Sequence, residues 1–115
     1  IQYDTRDQPS AGRGSCGGGG GQQVVVVHIA RRSNASFTIV ERTYDTLIFL
    51  RNECDNAAEA AQIDCNDDSD GLSSRIPRGD GTIALDPGTY YLYLDGFGGQ
   101  EGTGTVEISI QPIGG

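Results

Sequence analysis

Lysine, methionine and tryptophan are all missing from this chain of 115 residues, and histidine occurs once. Without lysine there is no Walker A phosphate loop, no Schiff-base nucleophile and no pyridoxal-phosphate anchor, so the five glycines Gly17 to Gly21 are not a phosphate cradle. His28 and three scattered cysteines, no two of them in a C-x-x-C pair, exclude an ordinary structural zinc site and a haem attachment motif. No apolar run approaches the roughly 20 residues that a membrane-spanning helix needs. Large apolar side chains are scarce as well: Leu, Ile, Val and Phe together number 25, just above the level at which chains stop folding. The length fits one domain with one modest core.

Basic charge is lacking in one place above all. Of the sixteen acids, seven fall within residues 53 to 70, where there is no Arg, and the net charge of the chain is -8. Such a segment repels nucleic acid and attracts cations. The chain opens at Ile1 with no basic and apolar leader, which reads as a processed protein or an excised domain.

What is present is mostly strand. Gln22 to Ala30, centred on Val24 to Val27, is continuous and β-branched, as expected of a strand buried on both faces. Phe37 and Ile39 alternate with Thr38, and Thr46 to Leu50 repeats the apolar run. Ile83 to Leu85 is a short strand, and Pro87-Gly88 turns the chain into Thr89 to Leu94. Val106, Ile108 and Ile110 face one way while Glu107, Ser109 and Gln111 face the other, the period of a half-buried strand. Only Asn56 to Gln62 hints at helix. Seven or eight short strands at this spacing predict an all-β fold, an antiparallel β-sandwich of jelly-roll or Greek-key type. Residues 1–21 are expected to form an N-terminal arm with a Gly-rich hinge, and residues 22–115 the sandwich.

The strongest chemical signal is Asp64-Cys65-Asn66-Asp67-Asp68-Ser69-Asp70-Gly71. Asp64, Asn66, Asp68 and Asp70 alternate, so a curled loop can aim several oxygens at one centre. Calcium takes six to eight such ligands in irregular geometry. An EF-hand is excluded, because the twelfth position of a loop starting at Asn66 is Pro77 rather than Glu. The competing reading is a solvated acidic turn. Cys54 and Cys65 flank this loop, and a disulfide between them would close a small ring worth somewhat under about 3 kcal/mol. Two paired cysteines imply an oxidising, extracellular setting. Cys16 is then left over, either as a buried thiol or as a partner for a cysteine in another chain.

Tyr44-Asp45-Thr46-Leu47, Cys54, Cys65-Asn66-Asp67-Asp68, Pro87-Gly88-Thr89-Tyr90-Tyr91 and Asp95-Gly96 resemble, in order and spacing, the bacterial pre-peptidase C-terminal domains and their Cys-Asn-Asp-Asp relatives in large secreted proteins. The resemblance spans about residues 14 to 110. It implies a jelly-roll-like, non-catalytic sandwich appended to secreted proteases and surface proteins, binding calcium in some relatives. It also implies that Asp45 joins Asn66, Asp67 and Asp68 as a ligand or loop-bracing group.

Other features have plainer readings. His28 lies in a strand with no nucleophile pattern near it, Arg78-Gly79-Asp80 reads as a turn, and Asn34-Ala35-Ser36 is a glycosylation sequon. Tyr91 and Tyr93 share one strand face, where they either stack on a sugar or partner protein or simply cover the sheet. The sequence therefore predicts a secreted, calcium-braced module that attaches or spaces a larger protein on a protein or polysaccharide surface. The alternative is a fibre or sheath subunit joined to copies of itself by strand addition through the arm, with Cys16 as a covalent lock. A small secreted hydrolase is a third reading.

Overall fold

The computed structural model describes residues 1–6, 13–14, 17–18, 21–52, 62–66, 74–77, 81–96, 98 and 100–113. In chain order the strands are β1 (Gln2–Asp4), β2 (Arg13–Gly14), β3 (Gly17–Gly18), β4 (Gln23–Ile29), β5 (Ser33–Arg42), β6 (Thr46–Arg51), β7 (Gln62–Asn66), β8 (Arg75–Ile76), β9 (Ile83–Leu85), β10 (Gly88–Gly96) and β11 (Thr103–Pro112). One sheet runs β1-β11-β5-β8, with β9 also on β5, and the other runs β4-β10-β6-β7. Every pairing is antiparallel. Among the described residues β2 and β3 pair only with each other, and β3 lies against β10. The chain is an antiparallel β-sandwich, as its alternation predicts. No described helix is long and apolar enough to cross a membrane.

Nine strands make up the two described sheets, against the seven or eight expected. The surplus comes from short strands such as β1, β7 and β8, which exist because a neighbour offers them a hydrogen-bonding edge rather than because their residues favour strand. Gln62, expected to end a helical stretch, begins β7.

Alternation decides the core. Phe37 and Ile39 of β5, Ile48 and Leu50 of β6, Leu92 and Leu94 of β10 and Val106 of β11 point between the sheets and are almost fully buried. Removing each such side chain from water is worth about 1.5–3 kcal/mol. Burial on both faces belongs to β6, all six of whose residues are buried, and not to β4. β4 is an edge strand, with Val27 and Ile29 buried but Val24 and Val26 facing outward, 40% and 52% exposed. A run of valines has the same composition at an edge as in the centre of a sheet, so position in the sheet corrects the expectation.

The outward side chains of β6 and β10 form a second cluster of Leu47, Phe49 and Tyr93. Phe49 and Tyr93 are cross-strand partners whose rings stack at 4.7 Å and 8°. The Arg51 guanidinium carbon sits 4.6 Å from each ring centroid, and Arg51 is 1% exposed.

β1, drawn from the expected arm, pairs with Thr103–Thr105 of β11 and inserts Tyr3 into the main core. The Tyr3 and Tyr44 hydroxyls lie 2.8 Å apart, out of solvent. Thr5 extends the tie: its amide and hydroxyl both donate to the Gly102 carbonyl, and Gly102 N donates back to Thr5 Oγ1. Burial pushes both phenols above the usual tyrosine value, and at Tyr44 the neighbouring Tyr3 hydroxyl and, to a lesser degree, the charge of Asp95 add to it. The unfolded chain therefore releases these protons first, near pH 10, and folding stability falls as pH climbs through that point. The melting temperature should drop progressively above about pH 10, and Tyr44→Phe should flatten the drop. An unchanged slope in that variant would show that the pair does not govern alkaline stability.

Candidate functional site

The β6/β7 register sets Ile48 opposite Asn66 and Leu50 opposite Asp64. The start of β6 and the end of β7 therefore lie at one end of the sheet, and Asp45, just before β6, is three residues along from the position opposite Asn66. The loop carrying Asp45 is held from several sides. Asp45 N donates to Gln100 Oε1 at 3.0 Å. The Thr46 and Ser74 hydroxyls meet at 2.8 Å, Ser74 Oγ is also 2.8 Å from the Thr46 carbonyl, and Ile39 N donates to the Ser74 carbonyl.

The other described candidates are partly occupied. Buried Asn66 accepts Arg75 N on its Oδ1 at 3.1 Å, which ties β7 to β8. Asp64 Oδ1 accepts Cys65 N at 2.8 Å. Asp64 lies opposite Leu50, five residues along from Asp45, which is about 16 Å at strand rise. Ligands of one calcium must each reach within about 2.6 Å of it. The structure thus places Asp45 and Asp64 too far apart to serve a single ion. Among the described residues, no group of three or more His, Cys, Asp or Glu is close enough to hold a metal. Asp67, Asp68 and Asp70 lie outside the described residues, as do Cys16, Cys54, residues 56–61 and the Arg78-Gly79-Asp80 tripeptide. Cys65 is half-buried and disulfide-bonded.

Tyr93, expected on a contact face, is fully buried beneath the Arg51 and Phe49 packing, which removes it from any such face. Tyr91 is half-buried beside it. His28 faces outward on β4 with Nδ1 3.1 Å from Thr89 Oγ1. Two features escaped the sequence reading. Gln22 Nε2 donates to fully buried Asp95 at 2.6 Å, an interaction between residues 73 apart that no local pattern signals. A polar groove of about 820 Å³ runs past Gln2, Asp4, Gln23, Glu41, Arg42 and Thr103. Asp4 on its rim is held down to about 2 by the hydrogen bonds and charge of Arg6.

This arrangement of two sheets superposes on the pre-peptidase C-terminal domain of a collagenase from Bacillus anthracis with a TM-score of 0.61, covering 95% of this chain and 86% of that one. The fold is that of a pre-peptidase C-terminal domain. The two chains are 14% identical, so the shared property is the architecture, reached by different side chains. No protein-family model and no curated protein sequence matches the chain. Within the pre-peptidase C-terminal fold, Asp45 occupies the turn into the central strand β6, and the acidic run follows the edge strand beside it.

Proposed function

We propose that the chain is a non-catalytic module of a secreted protein, braced by calcium at the edge where β6 begins and β7 ends, and that it attaches or spaces its host on an extracellular surface. The observation that supports this most is the fold, found in the C-terminal domain of a collagenase. The polar groove beside β1 offers amide, hydroxyl and charged groups to a polysaccharide or protein surface. The disulfide of Cys65 fits an oxidising compartment, with Cys54 proposed as its partner.

Asp45, Asp67, Asp68 and Asp70 are the proposed calcium ligands, with Asn66 bracing the loop and Asp64 outside the ion's reach. Calcium at a hundred times its dissociation constant would add about 2.7 kcal/mol, or roughly 10 °C in melting temperature for a domain of this size. Asp68→Asn with Asp70→Asn should erase that rise, while Asp64→Asn should leave it intact. A melting temperature indifferent to calcium and chelator would leave only a solvated acidic turn. Retention on insoluble polysaccharide and protein matrices, lost in Glu41→Gln with Arg42→Ala, tests the groove; retention unchanged in that pair moves the attachment surface elsewhere.

A second reading, a fibre subunit joined through the N-terminal arm, draws on β1 being a three-residue edge strand that a neighbour's strand could replace on β11. It requires Tyr3 to leave its buried hydrogen bond with Tyr44.

A further inference from the structure

Along β5 the side chains of Ala35, Phe37 and Ile39 point into the core. Unbroken alternation would send Glu41 the same way. It does not, because the register on β11 steps from Ile39 opposite Val106 to Glu41 opposite Thr105, which leaves Val40 opposite no residue of β11. An extra residue of this kind re-aims the side chains beyond it, and such bulges are concentrated beside functional sites. Here Glu41 is turned out of the core, and Glu41, Arg42 and Thr43 are all exposed along the polar groove of about 820 Å³.

Three strands form that groove. Gln2 of β1, Thr105 of β11 and Glu41 of β5 make one row across the sheet. Asp4 and Thr103 make the next, closed by Thr43, whose Oγ1 accepts Thr103 N at 2.9 Å. Short threonines thus floor a trough whose walls stand two strand spacings apart, about 10 Å.

The chemistry of the trough narrows its ligand. Asp4 is paired with Arg6, and Glu41 and Arg42 contribute one charge of each sign, so the described charges along the groove sum to zero in a chain of net charge -8. A polyanion finds no cationic excess here, and a polycation is drawn to the acidic run instead. The centre of a protein interface is depleted in charge and enriched in aromatic side chains. Among the described lining residues the one ring is Tyr3, which is buried with its hydroxyl on Tyr44. Gln2 both donates and accepts, Glu41 accepts, Arg42 donates and the threonine hydroxyls do either, a mixture that a row of ligand hydroxyls satisfies.

We infer that the groove takes a neutral polysaccharide chain, held by hydrogen bonds to Gln2, Glu41, Arg42 and the threonine floor rather than by stacking on a ring. The inference rests on the reading of the chain as an attachment module and names the class of surface.

Retention of the intact, oxidised chain on beads of dextran, cellulose and chitin, compared with carboxymethylcellulose and gelatin, tests this. The wild type should be held on at least one neutral glycan, equally at about 0.05 M and 0.5 M salt, because an uncharged ligand leaves no ion pair to screen. Gln2→Ala with Glu41→Ala should weaken retention about tenfold, the effect of losing two hydrogen bonds. Thr105→Arg, which fills the floor, should abolish it. Circular dichroism and melting temperature show that each variant is folded; if Thr105→Arg is not, the double variant, which changes two exposed side chains, decides. Retention confined to carboxymethylcellulose or gelatin, and lost in the groove variants, overturns the neutral-glycan assignment and leaves the attachment reading standing. Retention on a neutral glycan that the folded variants keep also overturns it, since the chain then binds through another surface. Retention on no matrix overturns both.

Discussion

Phe49→Ala should cost about 3–5 kcal/mol, the range for deleting a buried aromatic ring, out of a total stability of about 5–15 kcal/mol for a domain. Phe49 lies on the side of β6 that faces away from the main core, yet it is fully buried, stacked on Tyr93 and in contact with Arg51. Its loss would leave a void beside a buried guanidinium that then keeps one of its two aromatic faces. Phe49→Leu restores much of the volume but not the π-face, so it should recover part of the loss, and the remainder measures the ring's interaction with Tyr93 and Arg51. Urea unfolding followed by tyrosine fluorescence reads both variants. A cost under about 1 kcal/mol for Phe49→Ala would mean that this face is open to water and that the second cluster is not a core.

Gly96→Ala should cost about 3 kcal/mol, or roughly 12 °C in melting temperature. Gly96 ends β10, and a Cβ there would overlap the backbone carbonyl of Gln100, so the connection to β11 must move. Gln100 Oε1 accepts Asp45 N, so the displacement reaches the turn into β6. Any calcium-dependent rise in melting temperature should shrink in this variant together with basal stability. Gly102→Ala is the companion case. Its Cβ would fall 2.5 Å from Thr43 Oγ1 and 2.8 Å from the Tyr44 ring, side chains that can yield somewhat, so its cost should be the smaller of the two. A Gly96→Ala protein within about 0.5 kcal/mol of wild type would show that the connection relaxes freely.

The existence of β5, β10 and β11 was legible because the period of a strand is written in its side chains, but the depth of burial was legible only for β5: in β11 Val106 is buried, Ile108 half-buried and Ile110 exposed, and β10 is buried at every position from Leu92 to Gly96. The face assignment in β10 was legible for the same reason: Tyr90, Leu92 and Leu94 enter the main core while Tyr91 and Tyr93 turn outward. The rank of a strand within its sheet was not legible. Four valines in β4 and the mixed Thr-Leu-Ile-Phe-Leu-Arg of β6 suggest the opposite of what tertiary position decides. β7 was hidden because Asp64 and Asn66 disfavour strand, and only pairing to β6 makes it one. Of the candidate site, composition revealed the acidic run. The five-residue separation of Asp45 from Asp64 along β6 and β7 needed the register.

The attachment of β1 sets the order in which the chain can assemble. Its bonds reach from Ile1 to Val106, a separation of 105 residues, whereas β9 and β10 are separated only by Asp86 and Pro87. A docking platform for β1 exists only once β11 has aligned on β5, itself a closure across some seventy residues. Chain-closure entropy is overcome late for such pairings, and domains dominated by them fold in about milliseconds to seconds. The Tyr3–Tyr44 hydrogen bond therefore closes at the end of folding, and its rupture is the natural first step of unfolding. The stretch from Ile1 to Thr5 acts as a latch whose exchange with solvent reports the earliest opening of the domain.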